Sequence, residues 1–195
     1  MLRKATVKRV TGETSIEILI NLDGSGDYKV KTDVPFLTHM LELFSKHGLF
    51  DLEVKATGDV EVDYHHLIED VGIVLGEVVK RALGSKKSIN RYGFFTLPMD
   101  ETLISVAVDL SGRPYFVYKG FPQMATLMGI EFDLFREFWK SFAFSLECNL
   151  HINCHYGLNL HHIVEGTFKC VARALKMAVD IDEKIKGIPS TKGKL

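Results

Sequence analysis

Glu13-Thr14-Ser15-Ile16-Glu17-Ile18-Leu19-Ile20-Asn21-Leu22-Asp23-Gly24 returns 88 residues later as Glu101-Thr102-Leu103-Ile104-Ser105-Val106-Ala107-Val108-Asp109-Leu110-Ser111-Gly112. In both copies apolar residues alternate with others and the run ends in Gly. That is the pattern of a strand with one buried face leading into a turn. A further strand precedes each copy, near residues 4–10 and 91–99, so each half opens with two paired strands. The chain therefore reads as a duplication.

Working outward, Asp33-Val34-Pro35-Phe36-Leu37 starts a helix, with Asp as the cap and Pro in the first turn. Phe36, Leu37, Met40, Leu41 and Phe44 form its apolar face, and 98 residues on the second half supplies Leu134, Phe135, Phe138, Trp139 and Phe142. An aromatic stripe at this spacing is core. A strand follows in each half, alternating through Leu52, Val54 and Ala56, and through Leu150, Ile152 and Cys154. The final helices begin after Asp63 and Asn159, both good caps, and the first ends with Lys80 and Arg81 near Gly84. The expected fold is α+β and internally duplicated, two β-β-α-β-α halves (residues 1–90 and 91–185) with sheets backed by helices. The repeat offset grows by ten residues between the strands and the first helix, so an insertion lies within 113–131. From Phe121-Pro122-Gln123-Met124 onward it reads as a loop, either a surface excursion or a lid.

At 195 residues and 46% hydrophobic content the chain can bury a sizeable core, as one domain or two fused halves. A net charge of −1, with Lys and Arg dispersed, argues against nucleic acid as a partner. The opening Met1-Leu2-Arg3-Lys4 lacks the apolar core of a signal peptide, and no apolar run approaches the ~20 residues of a membrane span. Cys148, Cys154 and Cys170 form no CxxC pair, which fits a reduced, cytoplasmic setting; Cys154 and Cys170 read as small core residues.

The repeat also carries chemistry. His65-His66-x-x-Glu69 recurs as His161-His162-x-x-Glu165, each at the opening of a helix. Positions i and i+4 share a helix face while i+1 turns about 100° away, so His65 and Glu69 can grip one ion while His66 faces another. His39 on the first apolar helix has Glu137 as its counterpart. Pseudo-symmetry then groups His39, His66, His161 and Glu165 around one ion, and His65, Glu69, Glu137 and His162 around a second. His47, two turns after His39, either touches ligand or packs, and His151 reads as structural or solvent-facing. Imidazole and carboxylate donors without thiolate suit Mn²⁺ or Fe²⁺, with Zn²⁺ a competitor by intrinsic affinity. Other classes with such donors are a two-metal hydrolase, a ferritin-like bundle, against which the strand signals argue, and a metal staple between subunits.

Pro35-Phe36-Leu37-x-His39-Met40-Leu41, both HHxxE motifs, Ser111-Gly112-Arg113-Pro114-Tyr115 and the tail Ile188-Pro189-Ser190-Thr191-Lys192-Gly193 resemble the imidazoleglycerol-phosphate dehydratase family of histidine biosynthesis. The resemblance runs from about Lys8 to the C-terminus. It implies a duplicated fold of the ribosomal protein S5 domain 2 type, two Mn²⁺ ions per active site, and a 24-mer of cubic symmetry with active sites shared between subunits. It implies metal ligands at His39, His65, His66, Glu69, His161, His162 and Glu165, with Glu137 standing where some members carry His. Substrate contacts are implied at Glu13, Arg91, Arg113, Lys169 and a C-terminal tail, residues 186–195, through Ser190, Thr191 and Lys192, and His47 joins them as a candidate. Thr38 and Tyr64 depart from the Asp common at those positions.

The implied substrate is a small phosphate ester, D-erythro-imidazoleglycerol phosphate, dehydrated to imidazole-acetol phosphate. Its departing hydroxyl sits beside the ring, and the proton leaves the next carbon, which is not acidic. Two ions, one at each ring nitrogen, would hold the ring as imidazolate and let it expel hydroxide. A carboxylate then takes the side-chain proton, and Glu13 is the candidate base. Its repeat partner Glu101 is either a relic of symmetry or a second site group. Arg91, Arg113 and Lys192 would hold the phosphate.

Overall fold

The computed structural model describes residues 3–195. The first half contains β1 (Lys4–Val10), β2 (Thr14–Asn21), β3 (Tyr28–Thr32), α1 (Pro35–Gly48), β4 (Asp51–Gly58) and α2 (His65–Leu83). The second contains β5 (Tyr92–Met99), β6 (Thr102–Asp109), β7 (Tyr115–Lys119), the short β8 (Thr126–Leu127) and β9 (Ile130–Glu131), α3 (Asp133–Leu146), β10 (Asn149–Tyr156) and α4 (Leu160–Val179). Both halves thus keep the strand-strand-helix-strand-helix order, and each adds a short strand before its first helix. The sheets have the same topology, β1-β2-β4-β3 and β5-β6-β10-β7. In each, the added strand lies parallel to the central strand at one edge. Tyr28-Lys29-Val30-Lys31-Thr32 escaped the sequence reading because a half-exposed edge strand needs little apolar alternation.

Since β7 repeats β3, the extra residues begin only after Lys119. They fold back as the β8–β9 hairpin, with Thr126 opposite Glu131. Asp33 does not cap α1. Val34 holds that position without a side-chain bond, and Asp33 instead accepts the Gly58 N–H at 3.2 Å. Pro35 at the first turn, with φ already set, starts the helix. Asn159 does cap α4, accepting the His161 N–H at 2.9 Å. Tyr64 holds the cap of α2 without a side-chain bond, and Asp63, one residue earlier, accepts the His65 N–H at 2.7 Å.

Residues such as Ile16, Ile18 and Ile20 point from the first sheet, and Ile104, Val106 and Val108 from the second, into one continuous core. The helices fill it, and they pack across the repeat: α1 lies on α4, and α2 on α3. Trp139 on α3 is fully buried among Phe44, Phe138, Phe142 and Phe168. All three cysteines are buried and free. Among the described residues no helix is long and apolar enough to cross a membrane.

Candidate metal centre and anion pocket

Because α1 of one half lies on α4 of the other, residues 122 positions apart become neighbours. His39 Nε2 stands 3.8 Å from Glu165 Oε2, and His161 Nε2 bonds the same oxygen at 3.0 Å. Donor atoms of His39, His161 and Glu165 all lie within 4.8 Å of one another, a span that one ion can bridge. Two imidazoles and a carboxylate suit a hard or borderline divalent cation, so the donor set fits the metal that the sequence implies. The Phe36 ring sits edge-on to His161, 5.2 Å between centroids, and holds that imidazole from the apolar side.

Lys169, one turn beyond Glu165, reaches its Oε1 at 2.5 Å. Burial pushes the Glu165 carboxyl up, but the Lys169 ammonium and the His161 bond outweigh it and hold the pKa below the usual value. His47 lies on the same side of α1. Its pKa is depressed first by burial, then by the charges of Lys169 and Arg173, so this imidazole favours the neutral form. Of the residues first grouped around one ion, His39, His161 and Glu165 meet within the chain, and His66 is not among them.

The second group is only partly assembled. His65 Nε2 is 3.4 Å from Glu69 Oε2, the i, i+4 pair expected of one helix face. Ser141 on α3 donates to Glu69 at 3.3 Å. Glu137, one turn before Ser141, has its two oxygens on Arg136 and Lys140, at 2.6 and 2.9 Å. His162 faces Glu101 instead, with Nδ1 to Oε2 at 2.8 Å and Asp100 at 3.8 Å from Nε2. His66 Nδ1 lies 3.1 Å from Asp59 and 3.8 Å from Glu13. The bond to Asp59 raises the His66 pKa, and the bond to Glu101 raises that of His162. Glu101 itself is driven far below the carboxylate range by His162 and by backbone N–H groups. Asp59 was missed in the sequence, although a carboxylate seven residues ahead of a candidate ligand histidine is the available signal.

A separate open pocket of about 470 Å³ gathers Arg91, Arg113, Ser190, Thr191 and Lys192, with Lys194 beside them. Arg91, in the left-handed region at φ 72°, clamps Asp109 through Nε at 2.7 Å and Nη2 at 3.2 Å. Its Nη1 donates to the Pro189 carbonyl at 2.9 Å and so anchors the tail against the second sheet. Gly112, at φ 73°, leaves room for the last residue: a Cβ there would come within 2.5 Å of the Leu195 carbonyl carbon. Arg113, Lys192 and Lys194 with the hydroxyls of Ser190 and Thr191 form a rim suited to phosphate, while Arg91 is shared with Asp109 and Leu195 lies at one edge.

Comparison with known proteins finds one family throughout. A family model described as imidazoleglycerol-phosphate dehydratase matches residues 32–175. The imidazoleglycerol-phosphate dehydratase of Geobacter sulfurreducens is 54% identical over 195 residues, covering 100% of both chains. The crystal structure of the Staphylococcus aureus imidazoleglycerol-phosphate dehydratase superposes with a TM-score of 0.82 at 34% identity, over 92% of this chain and 99% of that one. That of the Pyrococcus furiosus enzyme, in complex with (S)-C348, gives 0.82 at 34%, over 97% and 100%.

Proposed function

The chain belongs to the imidazoleglycerol-phosphate dehydratase family, and on that premise we propose that it converts D-erythro-imidazoleglycerol phosphate to imidazole-acetol phosphate. It is a hydro-lyase of histidine biosynthesis. The observation that carries the finer reading is the meeting of His39 with His161 and Glu165 across the two halves.

His39, His161 and Glu165 would hold one Mn²⁺ together with His66, and His65, Glu69, His162 and Glu137 a second. In a 24-mer with sites at subunit interfaces, a neighbouring copy supplies the ligands that one chain does not bring together. When bound, the ions would act as Lewis acids and lower the pKa of the substrate imidazole; Fe²⁺ or Zn²⁺ suits the same donors. Glu13 is the base. Its side chain is 55% exposed and it stands 3.8 Å from His66, so it is open to substrate beside a proposed ligand. It takes the proton from the carbon next to the one that loses hydroxide, and the resulting enol becomes the ketone.

Arg113, Lys192, Ser190 and Thr191 hold the phosphate. Arg91 has spent three of its five N–H donors on Asp109 and Pro189, which leaves two for the same anion. Lys169, paired with Glu165, and His47 beside it would complete the substrate side. The setting is cytoplasmic, with no membrane or nucleic acid involved.

The test is incubation of the purified protein with imidazoleglycerol phosphate, with and without Mn²⁺. Imidazole-acetol phosphate should form only with the metal, and a fully loaded protein that forms none would sink the reading. Glu13→Gln should lower kcat by roughly 10²–10⁴-fold, the usual loss for a general base, with metal content and melting temperature unchanged. Near-full turnover in that variant would remove Glu13 from the mechanism. Loss of metal would favour a staple instead.

A further inference from the structure

The repeat is broken where the second histidine of each HHxxE motif meets its carboxylate. In the second half, Glu101 Oε2 takes His162 Nδ1 at 2.8 Å. Glu13 is the repeat counterpart of Glu101, so strict symmetry would put Glu13 on His66. Instead the Asp59 carboxylate lies 3.1 and 3.3 Å from His66 Nδ1, and Glu13 stands off at 3.8 Å.

Gly157 supplies the reason. Asp59 directly follows β4 and Gly157 directly follows β10, so the two occupy the same place in the repeat. A Cβ at Gly157 would lie 2.7 Å from Thr102 Oγ1 and 2.8 Å from Ile163 Cγ1, closer than real Cβ atoms come. A carboxylate-bearing side chain at that position would require Thr102 and Ile163 to shift. Glu101 reaches across from the start of β6 in its place. Its other oxygen accepts the N–H of Leu158 at 3.2 Å and of Asn159 at 2.8 Å, just ahead of α4. Glu101 is therefore tied to a histidine and to the backbone, and 34% of its side chain is exposed against 55% for Glu13. The Glu13 carboxylate makes no hydrogen bond among the described residues.

We infer that Asp59 and Glu101 are the positioning residues for His66 and His162: each holds the Nδ1 proton, turns Nε2 toward an ion, and, in the first half, Asp59 leaves Glu13 free for the substrate. A carboxylate on the far nitrogen of a metal-bound imidazole fixes its tautomer and orientation and strengthens it as a ligand. The duplication has thus divided one ancestral position into two jobs. The inference rests on the metal reading above, and the experiment separates the two.

Equilibrium dialysis of the full-length protein against Mn²⁺ is compared for wild type, Asp59→Ala, Asp59→Asn and Glu13→Gln, with melting of the metal-free forms alongside. Asp59→Ala should bind at one of the two sites about 10–100-fold more weakly. Its metal-free melting should match that of wild type, which a merely structural role for Asp59 would not permit. Asp59→Asn, whose amide oxygen still accepts from Nδ1, should fall between, and Glu13→Gln should bind as wild type does. Wild-type Mn²⁺ affinity in both Asp59 variants overturns the positioning role and leaves the metal reading standing. Should Asp59→Ala fail to fold, the isosteric Asn variant decides alone, wild-type affinity again counting against the role. No uptake by wild type itself overturns both.

Discussion

Asp51 holds the β2–β3 turn by three bonds at once. Its Oδ1 accepts the N–H of Ser25 at 2.8 Å and of Asp27 at 3.2 Å, and its Oδ2 accepts from Asn21 at 3.0 Å. Burial alone would push this carboxyl up, but the backbone donors outweigh it and the pKa is lowered. A folded-state pKa below the unfolded one contributes stability that is present above the unfolded value, near 3.9, and is lost as pH falls through the folded value. Asp51→Asn, which keeps an acceptor without charge, should therefore cost about 1 kcal/mol at pH 7 in urea unfolding. The difference from wild type should shrink as the pH is brought below about 4; a gap that stayed constant from pH 7 to acid would show that charge plays no part. Glu13 and Glu101 make the same point for the site. They are equivalent letters in a repeated string, and only their surroundings tell the exposed carboxylate from the one locked onto His162.

Helices α2 and α3 meet through glycine. A Cβ at Gly72 would lie 2.5 Å from the Phe138 carbonyl oxygen, and one at Gly76 would lie 2.4 Å from that of Phe142. On propensity alone, Ala at either place would favour the helix by roughly 0.5–1 kcal/mol. Against a backbone carbonyl the methyl has no flexible neighbour to displace, and overpacking costs typically 1–3 kcal/mol. The steric effect wins. Gly72→Ala should thus lower the urea midpoint, with the m-value unchanged if two-state unfolding persists; a stabilised variant would mean that the two helices can separate without cost. The periodicity of the aromatic stripe on α3 was plain in the sequence, and so was its burial. That its facing surface is α2, and that glycine sets the approach, was not, since a helix face does not name its partner. The edge strands β3 and β7 escaped for the converse reason: five half-exposed residues carry little pattern of their own.

Taken as a whole, the protein interlocks its halves, with α1 on α4 and α2 on α3 between two sheets of the same topology. This exchange is what brings His39 to His161 and Glu165, and it leaves His66 and His162 each against its own half's carboxylate. If neighbouring copies complete these sites, the ions also join subunits. Chelation should then abolish turnover and shift the assembly toward smaller species, measured by mass photometry, with Mn²⁺ restoring both. An assembly that stayed whole with empty sites would show that apolar contacts alone hold it.

The amino-acid sequence by itself determined the duplication, the order of the long elements, the buried stripes and the imidazole and carboxylate groups of the two HHxxE motifs. Each of these is written in local periodicity or in repeated residues. Only the tertiary structure decided which helix of one half meets which helix of the other, and so which donors converge. It alone set apart Glu13 from Glu101, through a glycine at 157 where a side chain would press on Thr102 and Ile163. Convergence across the repeat depends on packing between surfaces far apart in the chain, and no local pattern records it.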